Sequence, residues 1–225
     1  LIRNFLIVAG GIGSRMGNDI PKQFLLLCGK PVLLWTLERA KALMPNVQFV
    51  VVIPASEIEH WKSLCLDAGC QINHRVVVGG KSRFESVRNG LELVSDEEGL
   101  TAVHDGVRPF FTSSLIDRLE DTASHYGNAV PSLGVTDSIR MTTGSGNKAV
   151  DRSNLCIVQT PQVFKTNLLK HAYQKTVSGS YTDDASVVEA MGETIQLVEG
   201  EVDNIKITRP FDLVVAEVLI HNQLN

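Results

Sequence analysis

Short apolar runs rich in β-branched residues alternate with stretches of helical period along most of this chain, and that alternation restricts the fold more than any other feature. A strand buried on both faces reads as a near-continuous Val/Ile/Leu run, and a helix packed on the sheet returns the chain to a parallel neighbour. The expected strands lie at residues 5–9, 47–53, 72–78, 100–104 and 129–132. The expected class is therefore α/β with a mostly parallel central sheet. Pro31 suits the first turn of a helix in which Val32, Leu33, Leu34, Leu37, Ala40 and Leu43 follow the 3.6 period. Ser56 with Glu59 and Ser82 with Glu85 read as capping boxes that open the next helices.

From 134 to 158 the alternation weakens, and Val135, Ile139, Met141 and Val150 stand among Thr, Ser, Gly, Asn and Lys. That segment reads as a protruding β-hairpin arm turning at Gly144 to Lys148, with a floppy surface loop as the alternative. An isolated hairpin is marginally stable, so a partner surface is expected, and a symmetric homodimer supplies one most simply. Helices at 167–175 and 184–191, strands near 195–199 and 204–208, and a closing helix after Pro210 complete a single domain over 1–225.

With 225 residues, 44% of them hydrophobic, the chain can bury a sizeable core. No apolar run approaches the ~20 residues that cross a bilayer. The opening run is too short for a secretory signal and lacks a cleavage pattern, and the missing Met at position 1 points to trimmed numbering or processing. Cys28, Cys65, Cys70 and Cys156 show no CxxC spacing and read as free thiols of a reducing cytoplasm. A net charge of −4 and a pI near 5.9 argue against binding nucleic acid or anionic membrane. An anionic substrate would therefore need a local cluster of positive charge.

The first strand runs into Ala9, Gly10, Gly11, Ile12, Gly13, Ser14, Arg15, Met16 and Gly17. Glycines there let backbone N–H groups approach a polyphosphate that a Cβ would hold away, while Arg15 adds a fork of donors and Lys22 a point charge. A Walker loop would place Lys and Ser or Thr directly after its last glycine, which this segment does not. In a dinucleotide fingerprint, a glycine would stand where Met16 is and a helix would run through Pro21. Alone, the loop is equally well a tight turn.

The longer string AGGIGSRM followed by PKQFL resembles the N-terminal signature of the sugar-phosphate nucleotidyltransferases. VVGGKSRFESVRNGL, VHDGVRPF, VDRSNLCIVQTPQVF, TDDASVVEA and VEGEVDNIKITRPFDL extend the resemblance, in order, to the methylerythritol phosphate cytidylyltransferase family. The resemblance implies a Rossmann-like nucleotidyltransferase fold whose arm serves dimerisation. It implies CTP and a small polyol phosphate as substrates, transfer of CMP with release of pyrophosphate, and magnesium as the cofactor. Arg15 and Lys22 are then the catalytic cations. Ala9, Gly10, Gly11, Gly13, Gly80, Arg83, Ser86 and Asp105 bind the nucleotide. Ser138, Arg152, Thr182 and Lys206, with Asp137 beside them, bind the acceptor, part of it from the partner's arm. Asp105 holds the metal, with Asp203 either a second acidic contact or a turn residue.

Lys81 occupies a position often acidic in relatives and reads as a solvated charge, and Arg108 and Arg209 add charge nearby or pair with carboxylates. Strand alternation turns His104 away from Asp105, towards the core. A ribitol 5-phosphate cytidylyltransferase is the rival within the class, and a non-catalytic nucleotide-binding regulator the rival outside it. Arg152 in VDRSNL and the TDDASVVEA string favour the methylerythritol enzymes, and the presence of Arg15, Lys22, Asp105 and Lys206 favours turnover.

Overall fold

The computed structural model describes residues 1–10, 20–95, 98–177 and 181–224. In chain order these are β1 (Ile2–Val8), β2 (Leu26–Leu27), β3 (Lys30–Pro31), α1 (Val32–Leu43), β4 (Gln48–Ile53), α2 (Ile58–Asp67), β5 (Arg75–Val78), α3 (Arg83–Leu91), β6 (Leu100–Asp105) and α4 (Ser113–Tyr126). There follow β7 (Asn128–Gly134), β8 (Ile139–Thr143), β9 (Gly146–Val150), β10 (Cys156–Val158), β11 (Gln162–Lys165), α5 (Thr166–Lys175), α6 (Asp184–Glu189), β12 (Leu197–Glu199) and α7 (Pro210–Leu224).

At the centre of the sheet β6, β1, β4 and β5 run parallel in that order. β11 is antiparallel to both β6 and β7, while β10 and β12 pair with β7. Alternation along β1 shows why both faces must be covered. Phe5 and Ile7 join the cluster under α1, α2 and α4, and Leu6 joins the one under α3, α5 and α6. α7 closes a smaller cluster through Ala216 and Ile220, against Val32, Phe110 and Ile207.

Helix starts follow their sequence signals unevenly. Ser82 caps α3 by accepting from the Glu85 N–H at 3.1 Å, while the Glu85 carboxylate reaches back to the Lys81 N–H at 2.6 Å. The expected box at Ser56 does not form: a 3-10 turn at Ala55–Glu57 precedes α2, and the Ser56 hydroxyl bonds Glu57 instead. The strand expected at 72–78 is confined to β5, and 204–208 makes no strand. Its backbone is occupied otherwise, with the Asn204 carbonyl accepting from Arg108 and the Ile207 N–H donating to Val107. β8 and β9 form the expected hairpin, in register from Ile139 opposite Val150 to Thr143 opposite Gly146, and pair with no strand of the main sheet.

Gly90 shows how closely α3 lies on the sheet. A Cβ there would stand 2.4 Å from Leu6 Cδ1 and 3.0 Å from Val52 Cγ2. In an open helix, Gly→Ala gains ~1 kcal/mol. Here overpacking outweighs that gain, and Gly90→Ala is expected to lower unfolding stability by about 1–2 kcal/mol in urea titration. A more stable variant would contradict the packing described.

Candidate active site

Ligands in an open α/β sheet bind beyond the carboxyl ends of its parallel strands, because helix N-termini and connecting loops gather there. That edge carries a cleft of about 250 Å³, with Ala9 and Gly10 following β1, Gly80 to Arg83 opening α3, and Asp105 ending β6. Lys22 and Lys206 complete its lining.

Each wall is held by identifiable bonds. The Lys22–Phe24 turn is anchored by Gln23, whose buried amide donates to the Ala9 carbonyl at 2.7 Å, and by Phe24 against Trp61 and His60. At α3, the Ser86 hydroxyl accepts from the Gly80 N–H at 3.0 Å and donates to the Ser82 carbonyl at 2.9 Å. A side chain at position 80 would collide with Glu85 Cβ at 2.2 Å, so glycine is required to wrap the loop over the helix start.

Asp105 is the electrostatic centre. Its Oδ2 meets Arg108 Nε at 3.1 Å and Lys206 Nζ at 2.9 Å. Burial pushes this carboxyl up, but Lys206, Arg83 and Arg108 outweigh it and hold Asp105 well below the usual carboxylate range. Its backbone N–H donates to the Thr160 hydroxyl at 3.0 Å, and that hydroxyl lies 2.9 Å from His104 Nδ1. His104 Nε2 lies 2.9 Å from the Arg108 carbonyl, which fixes the tautomer with the proton on Nε2. Buried against Phe5 and Phe111, His104 is shifted down to about 4 by burial, and is the neutral core histidine that strand alternation implied. Arg108 proves to be a structural partner: besides Asp105, it donates to the Asn204 carbonyl at 2.8 Å.

Arg83 lines the cleft but is not an unanswered charge. Its NH1 and NH2 donate to the two oxygens of Asp184 at 2.9 and 2.6 Å, and the Asp184 side chain is wholly buried. Lys81, expected to be merely solvated, also lines the cleft.

Of the nucleotide and catalytic candidates, the structure brings Ala9, Gly10, Lys22, Gly80, Arg83, Ser86 and Asp105 together with Lys206. Gly11, Gly13 and Arg15 lie outside the described residues. Ser138, Arg152 and Thr182 are exposed and absent from the cleft walls, and Arg152 is tied to the arm by a bond from its guanidinium to the Thr136 carbonyl. Asp203 is likewise exposed and away from the walls, in a turn where its carbonyl accepts from the Ile205 N–H at 2.8 Å. Among the described residues no group of three or more His, Cys, Asp or Glu gathers as a metal cage.

Sequence reasoning gave no role to Gln23, Gln159, Thr160, Gln162, Asp184 or Asn204, all buried beside the cleft. Most of these sit in the quoted QTPQ, TDDA and VDNIKI strings, but their burial, and with it their need for partners, emerges only from the fold.

Comparison with known proteins identifies the family. The sequence model of the 2-C-methyl-D-erythritol 4-phosphate cytidylyltransferases matches residues 4–222. A protein of that name from Phocaeicola vulgatus is 47% identical over 218 residues, 97% of this chain and 99% of the relative. The crystal structure of the Thermus thermophilus enzyme superposes with a TM-score of 0.77 at 34% identity, covering 98% of this chain and 100% of that one. A 4-diphosphocytidyl-2C-methyl-D-erythritol synthase from Anaerococcus prevotii gives 0.81 at 25% identity, over 98% and 96% of the two chains. The chain therefore belongs to the 2-C-methyl-D-erythritol 4-phosphate cytidylyltransferase family.

Proposed function

We propose that this chain transfers CMP from CTP to 2-C-methyl-D-erythritol 4-phosphate in isoprenoid biosynthesis, with magnesium as cofactor and as a cytoplasmic homodimer of single-domain subunits. The observation that carries this reading is the gathering of Lys22, Arg83, Lys206 and Asp105 on the walls of one cleft at the mouth of the sheet, in a chain whose net charge is −4. The cytoplasmic assignment rests on four free thiols, of which Cys65 is pushed up to about 12 by burial and by Cys70 beside it.

The reaction is in-line attack by an oxygen of the acceptor phosphate on the α-phosphorus of CTP. The new P–O bond forms as the bond to the pyrophosphate oxygen breaks. A phosphate monoester is mostly dianionic at neutral pH, its second pKa being about 6, so no general base is required. His104, buried and doubly bonded, is consistent with that chemistry. The protein's part is to orient the phosphates and to place positive charge where negative charge accumulates. Lys22 is assigned to the polyphosphate together with Arg15, and Lys206 to the acceptor phosphate, with Gly10, Gly80 and Ser86 forming the slot for the base.

Magnesium binds through one or two carboxylates and completes its shell with phosphate oxygens and water. Asp105 fits that demand, because its bonds to Arg108 and Lys206 both fall on Oδ2. When bound there, the ion would neutralise phosphoryl charge. The place of Asp203 in the turn leaves it no direct part in this assignment.

Ser138 and Arg152, with Asp137, are assigned to the acceptor pocket of the neighbouring subunit, and Thr182 to a minor polar contact there. Exposed Met141 and Ile157 on the arm segment support a partner surface, since a two-stranded hairpin is marginal alone.

Pyrophosphate release tests the reading directly. CTP with methylerythritol 4-phosphate is expected to react, ribitol 5-phosphate is not, and chelation of magnesium should stop the reaction until the ion is restored. Activity confined to ribitol 5-phosphate would overturn the acceptor. Lys22→Ala is expected to lower the rate by ~10²–10³ without changing the fold by circular dichroism, and an unchanged rate would remove Lys22 from the chemistry. If the arm acts across the dimer, co-expressing Lys22→Ala with Arg152→Ala should restore roughly a quarter of wild-type activity, since one site of each mixed dimer is intact. No recovery would place Arg152 in its own subunit's site.

A further inference from the structure

Arg83 is a cation in an anion-binding cleft, yet its charge is already matched. The Asp184 side chain that matches it is 0% exposed, while Arg83 is 22% exposed, so the pair points from the interior outward into the cleft. Asp184 is itself fixed from several directions. The Tyr173 hydroxyl donates to Asp184 Oδ1 at 2.7 Å, and burial, with Asp184 beside it, keeps that hydroxyl protonated well beyond its ordinary range. The N–H groups of Asp184 and Ala185 both donate to Gln162 Oε1, at 3.1 and 2.9 Å. Gln162 in turn donates to Asp183 Oδ2 at 3.0 Å, and sits at 0% exposure at the start of β11. A chain of bonds therefore runs from the sheet through the start of α6 to a guanidinium on α3, across about a hundred residues of sequence.

We propose that Asp184 is a positioning residue for the reaction, which takes up the charge of Arg83 and sets the plane of its guanidinium. Arg83 then meets the nucleotide as a preoriented row of hydrogen-bond donors, and the attraction of the polyphosphate is left to Lys22 and Arg15. A bidentate carboxylate holds a guanidinium in one plane, whereas an unanchored arginine would have to be ordered by the substrate at each encounter. Among the described residues, the bonds that carry the buried carboxylate to the cleft are those to Arg83, so its influence belongs to nucleotide binding and not to the chemical step.

The inference rests on the cytidylyltransferase reading, and its test is a ratio within an active enzyme. Pyrophosphate release is measured with saturating methylerythritol 4-phosphate and varied CTP for wild type, Asp184→Asn, Arg83→Gln and the double variant. Asp184→Asn is expected to raise KM for CTP about tenfold to a hundredfold, the scale of a charge-assisted bond, with kcat changed by less than about threefold. The double variant should bind CTP no worse than Arg83→Gln, because Asp184 acts only through that side chain. A fall in kcat with KM unchanged, or independent multiplication of the two effects, would overturn the proposal. If Asp184→Asn fails to fold, Tyr173→Phe removes one donor to the same oxygen and keeps the ion pair. A KM for CTP raised about threefold supports the positioning role, and an unchanged KM overturns it. A wild-type protein inactive with CTP would instead reject the parent reading.

Discussion

The carboxylate of Asp105 is a largely buried charge at the end of a buried strand, and much of the site exists to accommodate it. Removing one partner of such a charge costs about 3–5 kcal/mol, because the remaining ion has no water to fall back on. Arg108 and Lys206 answer it from two directions, one from the loop that follows β6 and one from the segment before α7. Lys206 needs a fixed backbone to do so. Gln159 supplies it by clasping Glu201, donating to its carbonyl at 2.8 Å and accepting from its N–H at 3.0 Å, while Asn204 donates to the Thr160 carbonyl at 2.8 Å. The segment from Gln159 to Gln162 thus ties together the loop of Lys206, the main chain of Asp105 and the turn behind Arg83.

This arrangement explains how an acidic protein can hold a polyanion. Lys22, Lys81, Arg83 and Lys206 stand against Asp105 on the cleft walls, so the local field is opposite in sign to the net charge of −4. The α3 N-terminus adds partial positive charge, since its capped first turn faces the same space. Within this set the cations differ in kind. The Asp184 carboxylate balances Arg83, whereas the Lys206 side chain, 42% exposed, is the open member of its pair with Asp105, accessible to a phosphate.

Much of this was legible in the sequence because it is written in local patterns. The runs that became β1, β4 and β6 are buried on both faces and needed no tertiary information to be recognised. Ser82 and Glu85 worked as a cap because both partners lie within one turn. α4 was not among the expected helices, although Leu115, Ile116, Leu119 and Ala123 stand at helical spacing between Thr112, which caps it, and Gly127, which ends it. What could not be read were antiparallel β11, whose apolar run is very short, and the bonds of Gln159, Gln162 and Asp184. Their partners lie tens of residues away, and a buried glutamine looks like a surface one until its neighbours are known. The strand expected at 204–208 failed for the same reason: side chains of Arg108 and Gln159 take the Asn204 carbonyl, and the Ile207 N–H goes to the Val107 carbonyl.

The arm poses the converse problem. Among the described residues its strands β8 and β9 pair only with each other, while Met141, Leu155, Ile157 and Val158 on the same segment are exposed. A monomer would hold an ordered hairpin against the entropy of about 1–2 kcal/mol per fixed residue with almost no apolar burial to offset it. In the proposed homodimer, a second copy would cover those side chains and supply the missing burial. The proposed placement of Ser138 and Arg152 in a neighbour's pocket then makes assembly a condition of acceptor binding. In that arrangement the nucleotide half of the site is built within one chain, by the bonds around Asp105 and Arg83, and the acceptor half is completed only on association.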